Sequence, residues 1–276
     1  MDYATHPNQF SINDRAANYG DGVFTTMAVD QGRVALFRRH LDRLQHDSAK
    51  LGISFDAEAL AAQIRSHATD MQHGVLKVLL SAGEGGRGYA RSAQCSSGIF
   101  ITRHMLPEHY NQWRQSGIQV DVSSLKLARQ PALAGLKHLN RLEQVLIKRE
   151  LANSTAQDAI VCDQQGCVVE TSAANLFWLR DGIWYTPELS DCGVAGVMRG
   201  FLLDWFANSG VTVEVGRYSL SQLGQAQAVM LCNALMQIVP VTGMGGAAEQ
   251  TFDPEPVRQL ANNVITSYQE EYDQLD

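Results

Sequence analysis

Apolar residues recur along this chain first at intervals of three and four, then of two, and the two periods alternate. In GRVALFRRHLDRLQHDSAKLGI a short strand gives way to a helix with Leu41, Leu44, Ser48 and Leu51 on one face. DAEALAAQIRSHATDM predicts a second helix, with Leu60, Ile64 and Met71 inward, and GVLKVLLSAG and SGIFITRHM read as strands. The polar stretch LPEHYNQWRQSG, residues 106–117, interrupts the pattern and is read as an interdomain linker. IQVDVSSLKL then alternates as a strand. In LAGLKHLNRLEQVLIKRE, Leu139, Leu142, Val145 and Leu146 build one apolar helix face, and Asn140 and Glu143 have the spacing of a capping box. Two hairpins follow, AIVCDQQGCVVE turning at Asp163 to Gly166 and NLFWLRDGIWYTP turning at Asp181-Gly182. VMRGFLLDWFANSG predicts a helix ending at Gly210, and AVMLCNA and QIVPVTG two further strands. The last helix has Asp253 as its cap, Pro254 in the first turn, and Val257, Leu260, Val264 and Tyr268 inside. Strands and helices mix without strict alternation, so the expected class is α+β, a mixed α/β fold with antiparallel pairing. The expected organisation is a small N-terminal α/β domain over 1–105, the linker over 106–117, and a larger C-terminal α/β domain over 118–276.

Composition narrows the function classes. The 276 residues carry a formal net charge of -7, which gives no basic patch for nucleic acid. No apolar run reaches the roughly 20 residues of a membrane span. MDYATHPNQFSINDR has neither the basic head nor the apolar segment of a secretory signal. The five cysteines, Cys95, Cys162, Cys167, Cys192 and Cys232, form no Cys-x-x-Cys pair, and a reducing cytoplasm is expected. Histidines and carboxylates show no metal-ligand spacing, so no metal is expected.

Three stretches carry candidate chemistry. GEGGRG, Gly83 to Gly88, matches a dinucleotide fingerprint, but a loop and a strand follow it where a helix is required, so that reading is rejected. The loop is expected instead to hold out Arg87 and Tyr89 toward a substrate carboxylate. Of the five lysines, Lys137 alone is flanked by small and apolar residues, Ala134, Gly135, Leu136 and Leu139. Lost hydration there favours the neutral, nucleophilic amine, which covalent chemistry on a carbonyl needs. Glu170 closes a strand beside Thr171, Ser172 and Asn175, where hydrogen bonds orient a carboxylate suited to a pyridinium nitrogen. CGVAGVMRG leads into a helix, and the backbone of Gly196, Val197 and Met198 would offer amides and a positive dipole end to a phosphate. Arg43, on HLDRLQ, would add a guanidinium to it.

The strings YGDGVFTT, HLDRLQHDSAKLGI, GLKHLNRLEQVL, VVETSAANLFW, TPELSDCGVAGVMR and CNALMQIVPV, in this order, resemble the fold type IV pyridoxal phosphate enzymes, the class IV aminotransferase family. Within it, HGVLKVLLSAGEGGRGYA and AGLKHLNRLEQVLIKRE resemble the branch of bacterial aminodeoxychorismate lyases. The resemblance implies a two-domain fold like that of D-amino acid aminotransferase, pyridoxal 5'-phosphate as cofactor held between the domains, and a homodimer. It implies Lys137 as the lysine that carries the cofactor, Glu170 at its ring nitrogen, and Arg43 with the Gly196–Met198 amides at its phosphate. Asn175, and the backbone of Asn233 and Ala234 where relatives have a threonine-rich segment, are expected beside it. The implied reaction is loss of pyruvate from 4-amino-4-deoxychorismate to give 4-aminobenzoate, for folate synthesis, with Lys137 moving the proton. Thr25, Thr26 and Tyr89 are the candidate hydroxyls on the substrate side. The alternatives are transamination of a D- or branched-chain amino acid and, behind it, a non-catalytic cofactor-binding protein.

Overall fold

The computed structural model describes residues 11–92, 95–245 and 250–273, and the chain divides into two units. The first takes in Met1–Leu106, Lys137–Asn140 and Tyr268–Asp276, the second Pro107–Leu136 and Arg141–Ser267. The chain thus re-enters its first unit twice, which boundaries at 105 and 118 do not anticipate.

The first unit runs α1 (Arg15–Tyr19), β1 (Gly22–Asp30), β2 (Arg33–Val34), α2 (Phe37–Lys50), α3 (Ala57–Thr69), β3 (His73–Ser81) and β4 (Gly98–His104). Its antiparallel sheet has the order β2-β1-β3-β4. Strand periodicity sorts β1 into two faces. Val23, Met27 and Val29 are buried in a core with Leu41 and Leu44 of α2 and Leu60 and Ile64 of α3, while Phe24, Thr26 and Ala28 stay half-buried on the other face. Lys77 and Leu79 of β3 stand opposite Thr26 and Phe24. Residues Lys137–Asn140 continue this pairing: the Phe24 N–H donates to the Lys137 carbonyl at 3.0 Å, and the Leu139 N–H to the Gly22 carbonyl at 3.0 Å. The next element after β3 and the glycine-rich stretch at Gly83 to Gly88 is the strand β4.

The second unit runs α4 (His109–Ser116), β5 (Ile118–Val122), α5 (Leu142–Leu151), β6 (Asp158–Cys162), β7 (Val168–Thr171), β8 (Asn175–Arg180), β9 (Ile183–Pro187), α6 (Val197–Ser209), β10 (Val213–Gly216), α7 (Leu220–Leu223), β11 (Ala228–Asn233), β12 (Gln237–Met244), β13 (Gln250–Thr251) and α8 (Glu255–Glu270), whose end at Tyr268 passes into the first unit. Its mixed sheet has the order β10-β9-β8-β11-β12-β5-β6-β7, with β13 on β12. Both expected hairpins form, β6–β7 and β8–β9, and Asp181 and Gly182 both take positive φ, as a two-residue primed turn requires. α6 ends at Gly210 with φ 73°, and the Glu255 N–H donates to Asp253 Oδ1 at 2.9 Å, both as the capping residues predict. Segment 106–117, expected as linker, contains α4, whose Tyr110 and Trp113 pack on the core of this unit.

One helix start differs from expectation. α5 opens at Leu142 behind Arg141, not at Asn140. The Asn140 amide donates to the Gly20 carbonyl at 3.1 Å and Glu143 accepts the Ala128 N–H at 3.2 Å, so neither side chain is left for a capping box. Its buried residues are Ile147 and Leu151, and the stripe of Leu142, Val145 and Leu146 faces outward.

Phe206 of α6 is fully buried against the rings of Phe177 and Trp184. Phe206→Ala is expected to cost about 3–5 kcal/mol through lost burial and the cavity left behind, measured as a lowered urea midpoint with an unchanged slope.

Candidate active site

In the first unit, Lys137 is fixed by its backbone. Its N–H donates to Asp47 Oδ2 at 2.9 Å and its carbonyl accepts from Phe24, so the main chain is held on both sides. Its Nζ lies 4.6 Å from the centroid of the Phe24 ring, and a second amine, Lys77 Nζ, lies 5.1 Å from the same centroid.

Asp47 sits on α2 with His40 and Arg43, at spacings that put all three on one helical face. Thr25, the residue of β1 buried opposite that face, links them. Its Oγ1 accepts from Arg43 Nη2 and lies 2.6 Å from His40 Nδ1. Burial, then the positive charges of Arg43 and Lys137, push His40 well below the usual histidine range. Burial also lowers Arg43 to about 10, against the pull of the Asp47 carboxylate. Arg43 Nε is out of solvent and has no hydrogen-bond partner among the described residues. A buried charged donor in that state fits an anion with several acceptor oxygens, as a phosphate is.

A stability prediction follows from His40. Below its ordinary value of 6.5, the unfolded chain takes up a proton that the folded chain refuses. Stability is expected to fall as pH drops through about 6.5, by at most about 1.4 kcal/mol per pH unit. Melting temperatures between about pH 8 and pH 5 check this, and His40→Gln is expected to flatten the acid side of the profile.

In the second unit, Glu170 is buried on β7, and its Oε2 accepts the Val194 N–H at 2.8 Å. Beside it, the Thr171 hydroxyl donates to Asp158 Oδ2 at 2.8 Å and the Ser172 N–H to Asp158 Oδ1 at 3.2 Å. Asn175 clamps the loop before α6: its Nδ2 donates to the Val194 carbonyl at 2.8 Å, and its Oδ1 accepts the Gly196 N–H at 3.1 Å. The approach is close enough that a Cβ at Gly196 would fall 2.2 Å from Asn175 Oδ1. Gly196 is the N-cap of α6, with Val197 and Met198 in its first turn, and no side chain caps the helix. Asn233 folds the turn after β11, where its Oδ1 accepts the N–H groups of Leu235 and Met236 at 2.9 and 2.8 Å and its Nδ2 donates to the Ala173 carbonyl at 3.1 Å. Ala234 sits half-buried at that turn.

The remaining expected residues divide. Thr26 shares its face of β1 with Phe24 and stands opposite Lys77 of β3. Thr25 lies on the opposite face, its hydroxyl engaged with His40 and Arg43. Arg87 and Tyr89 are exposed on the loop after β3, with Tyr89 edge-on to Tyr19 at 5.6 Å. Asp47, His40 and Lys77 were not among the expected site residues. The α2 periodicity contained the signal for the first two, since His40 and Asp47 fall in register with Leu44 and Ser48 on the face that is buried.

Residues 22–244 match the family described as Amino-transferase class IV. The chain is 35% identical to the aminodeoxychorismate lyase of Vibrio harveyi over 258 residues, 92% of this chain and 95% of that protein. It is 24% identical to the D-alanine aminotransferase of Bacillus licheniformis, over 94% of this chain and 90% of that one. Among solved structures it is similar to the 4-amino-4-deoxychorismate lyase of Pseudomonas aeruginosa, with a TM-score of 0.89 and 36% identity over 94% of this chain and 95% of that chain.

Proposed function

The chain belongs to the class IV aminotransferase family, and on that premise we propose that it releases pyruvate from 4-amino-4-deoxychorismate to leave 4-aminobenzoate, with pyridoxal 5'-phosphate as cofactor. The observation that carries this reading is the seating of Lys137, a side-chain amine placed against an aromatic ring by a backbone held at both its N–H and its carbonyl. What favours the lyase over the transaminase is that the two relatives reported above at 35% and 36% identity are named as lyases.

Each unit, taken by itself, offers donors of the chemical kind the cofactor needs. Lys137 would carry it. Glu170, held by the Val194 N–H, would face its ring nitrogen, and Arg43 Nε and the amides of Val197 and Met198 would hold its phosphate. When bound, pyridoxal phosphate supplies an electron sink for the charge left as a C–H bond next to the substrate nitrogen loses its proton. The rest falls to the protein. Neutral Lys137 Nζ takes that proton as a general base. The carbon–oxygen bond to the enolpyruvyl group then breaks, the ring becomes aromatic, and the departing enol is protonated on carbon to give pyruvate. The atoms balance without water. Lys137 Nζ and the Thr26 hydroxyl are the candidates to return the proton. Thr25 instead steadies Arg43, and Arg87 pairs with a substrate carboxylate.

The test supplies aminodeoxychorismate to the loaded enzyme and follows 4-aminobenzoate fluorescence, with D-alanine plus 2-oxoglutarate in parallel. The lyase reading expects product in the first assay, and product in the second alone would replace it with the transaminase reading.

A homodimer is part of the same proposal. Leu142, Val145 and Leu146 are 75%, 60% and 40% exposed along one stripe of α5, and covering all three together would contribute roughly 3–5 kcal/mol. We take a second copy of the chain as their cover. Leu142→Glu with Val145→Glu is expected to convert a dimer into a monomer in light scattering, and an unchanged mass would remove this stripe from the interface.

A further inference from the structure

The loop after β3 has no hydrophobic anchor of its own. Residues 84–90 are all exposed. Gly83, Gly85, Gly86 and Gly88 take φ between 60° and 112°, values that side chains rarely adopt. What the loop does have is a buried cation. Arg15, 4% exposed at the start of α1, aims its guanidinium into the loop from below. Its Nη2 donates to the Tyr89 carbonyl at 2.8 Å, and its Nη1 lies 3.2 and 3.3 Å from the Ala90 and Gly88 carbonyls and 3.5 Å from that of Gly85. Its Nε pairs with Asp21 Oδ2 at 2.8 Å. Asp21 is shared with Arg91 at the far end of the loop, whose Nε donates to the same oxygen at 3.0 Å. Arg91 Nη1 in turn donates to the Leu51 and Gly52 carbonyls at 2.7 and 2.8 Å. Burial pushes the Asp21 carboxyl up, but its bonds to Arg91 and Arg15 hold it below the ordinary carboxylate value. The Arg15 Cζ also lies 4.9 Å from the centroid of Tyr19, the ring that meets Tyr89 edge-on.

The Arg15 bonds go to backbone carbonyls of the loop and to Asp21, Arg91 ties the far end of the loop to Asp21 and to the Leu51 and Gly52 carbonyls, and none of these bonds goes to Arg87. The arrangement fixes the main chain around Arg87 while leaving that side chain outward. We propose that Arg15 is a positioning residue for substrate: with Asp21 and Arg91 it is the polar template on which the Gly83–Arg91 loop is folded, so that Arg87 is presented to an anionic substrate in one place. This rests on the reading of Arg87 as a carboxylate ligand. A lysine cannot replace Arg15, because a single ammonium lacks the planar fork that reaches Asp21 and the loop carbonyls together.

The experiment compares Arg15→Lys, Arg15→Gln, Arg87→Ala and the double variant Arg15→Lys/Arg87→Ala in the cofactor-loaded enzyme, by hydrogen exchange and steady-state kinetics. In both Arg15 variants the amides of 84–91 are expected to exchange at least about tenfold faster, while those of β1 and β3 keep their protection. KM for aminodeoxychorismate is expected to rise about tenfold or more with kcat within about threefold, and cofactor absorbance to stay unchanged. Adding Arg87→Ala to Arg15→Lys is expected to cost little more than either alone, since both remove the same contact. Unchanged loop exchange in Arg15→Lys overturns the proposal, as do KM effects that multiply in the double variant. Loss of protection throughout the first unit in Arg15→Lys also overturns it, since Arg15 would then be holding the unit rather than the loop. If Arg87→Ala leaves KM unaltered, the carboxylate reading of Arg87 fails, while loop exchange still decides whether Arg15 holds the loop.

Discussion

Lys137→Ala is expected to lower turnover of aminodeoxychorismate by roughly 10⁴-fold, the upper range for a group that acts as general base. The loss is expected without unfolding. The backbone at this position is bonded on both sides, its N–H donating to Asp47 and its carbonyl accepting from Phe24. Alanine keeps both, so the melting temperature should move by no more than a degree or two. Lys137→Arg is a sharper control, because it keeps a cation over the Phe24 ring but removes the neutral amine. Both variants should be equally inactive. Activity retained by Lys137→Ala would transfer the proton to another group, and Lys77, which shares the Phe24 ring, would be the first to test.

Glu170→Gln is expected to reduce kcat by roughly 10²–10³-fold, the scale of losing one preorganised electrostatic partner of the developing charge. The substitution separates the carboxylate's two duties. A glutamine oxygen still accepts the Val194 N–H, so the loop before α6 should keep its place and stability should change little. What disappears is the negative charge that would hold a proton on the cofactor's ring nitrogen. Glu170→Ala, by contrast, strands a buried N–H and is expected to cost a further 1–3 kcal/mol or so of stability. A pair of variants equally slow but unequally stable is the expected signature, read by kcat and urea midpoints together. Full activity in Glu170→Gln would mean that the acid serves the loop and not the chemistry.

The sequence revealed most where the determinants are local. The Asp181-Gly182 turn, the Gly210 cap and the Asp253 cap act on neighbouring residues, and each forms as written. Lys137 stands out because its neighbours are small and apolar, and Glu170 because a strand ends there beside hydroxyl and amide side chains. What stayed hidden depends on residues distant in the chain. Asn140 reads as a helix cap until Gly20, 120 positions earlier, takes its amide. Asp47 is buried and receives the backbone N–H of Lys137 from 90 positions away, a partner that no local pattern around α2 could indicate. β1 does not stand out in the sequence because its threonines fall on both faces and blur the alternation, although it carries Phe24 and Thr26 on one side and Thr25 on the other. The outward stripe of α5 has the periodicity of a core, and periodicity cannot say whether the cover comes from this chain or from a second copy.

The most direct measurement traps the cofactor where it is attached. The loaded enzyme is reduced with borohydride, digested and mapped by mass spectrometry. The account predicts a pyridoxyl mass on the peptide containing Lys137 and on none of the other four of the chain's five lysines, Lys50, Lys77, Lys126 and Lys148. A label on Lys77, or a colourless protein that takes no label at all, would contradict it.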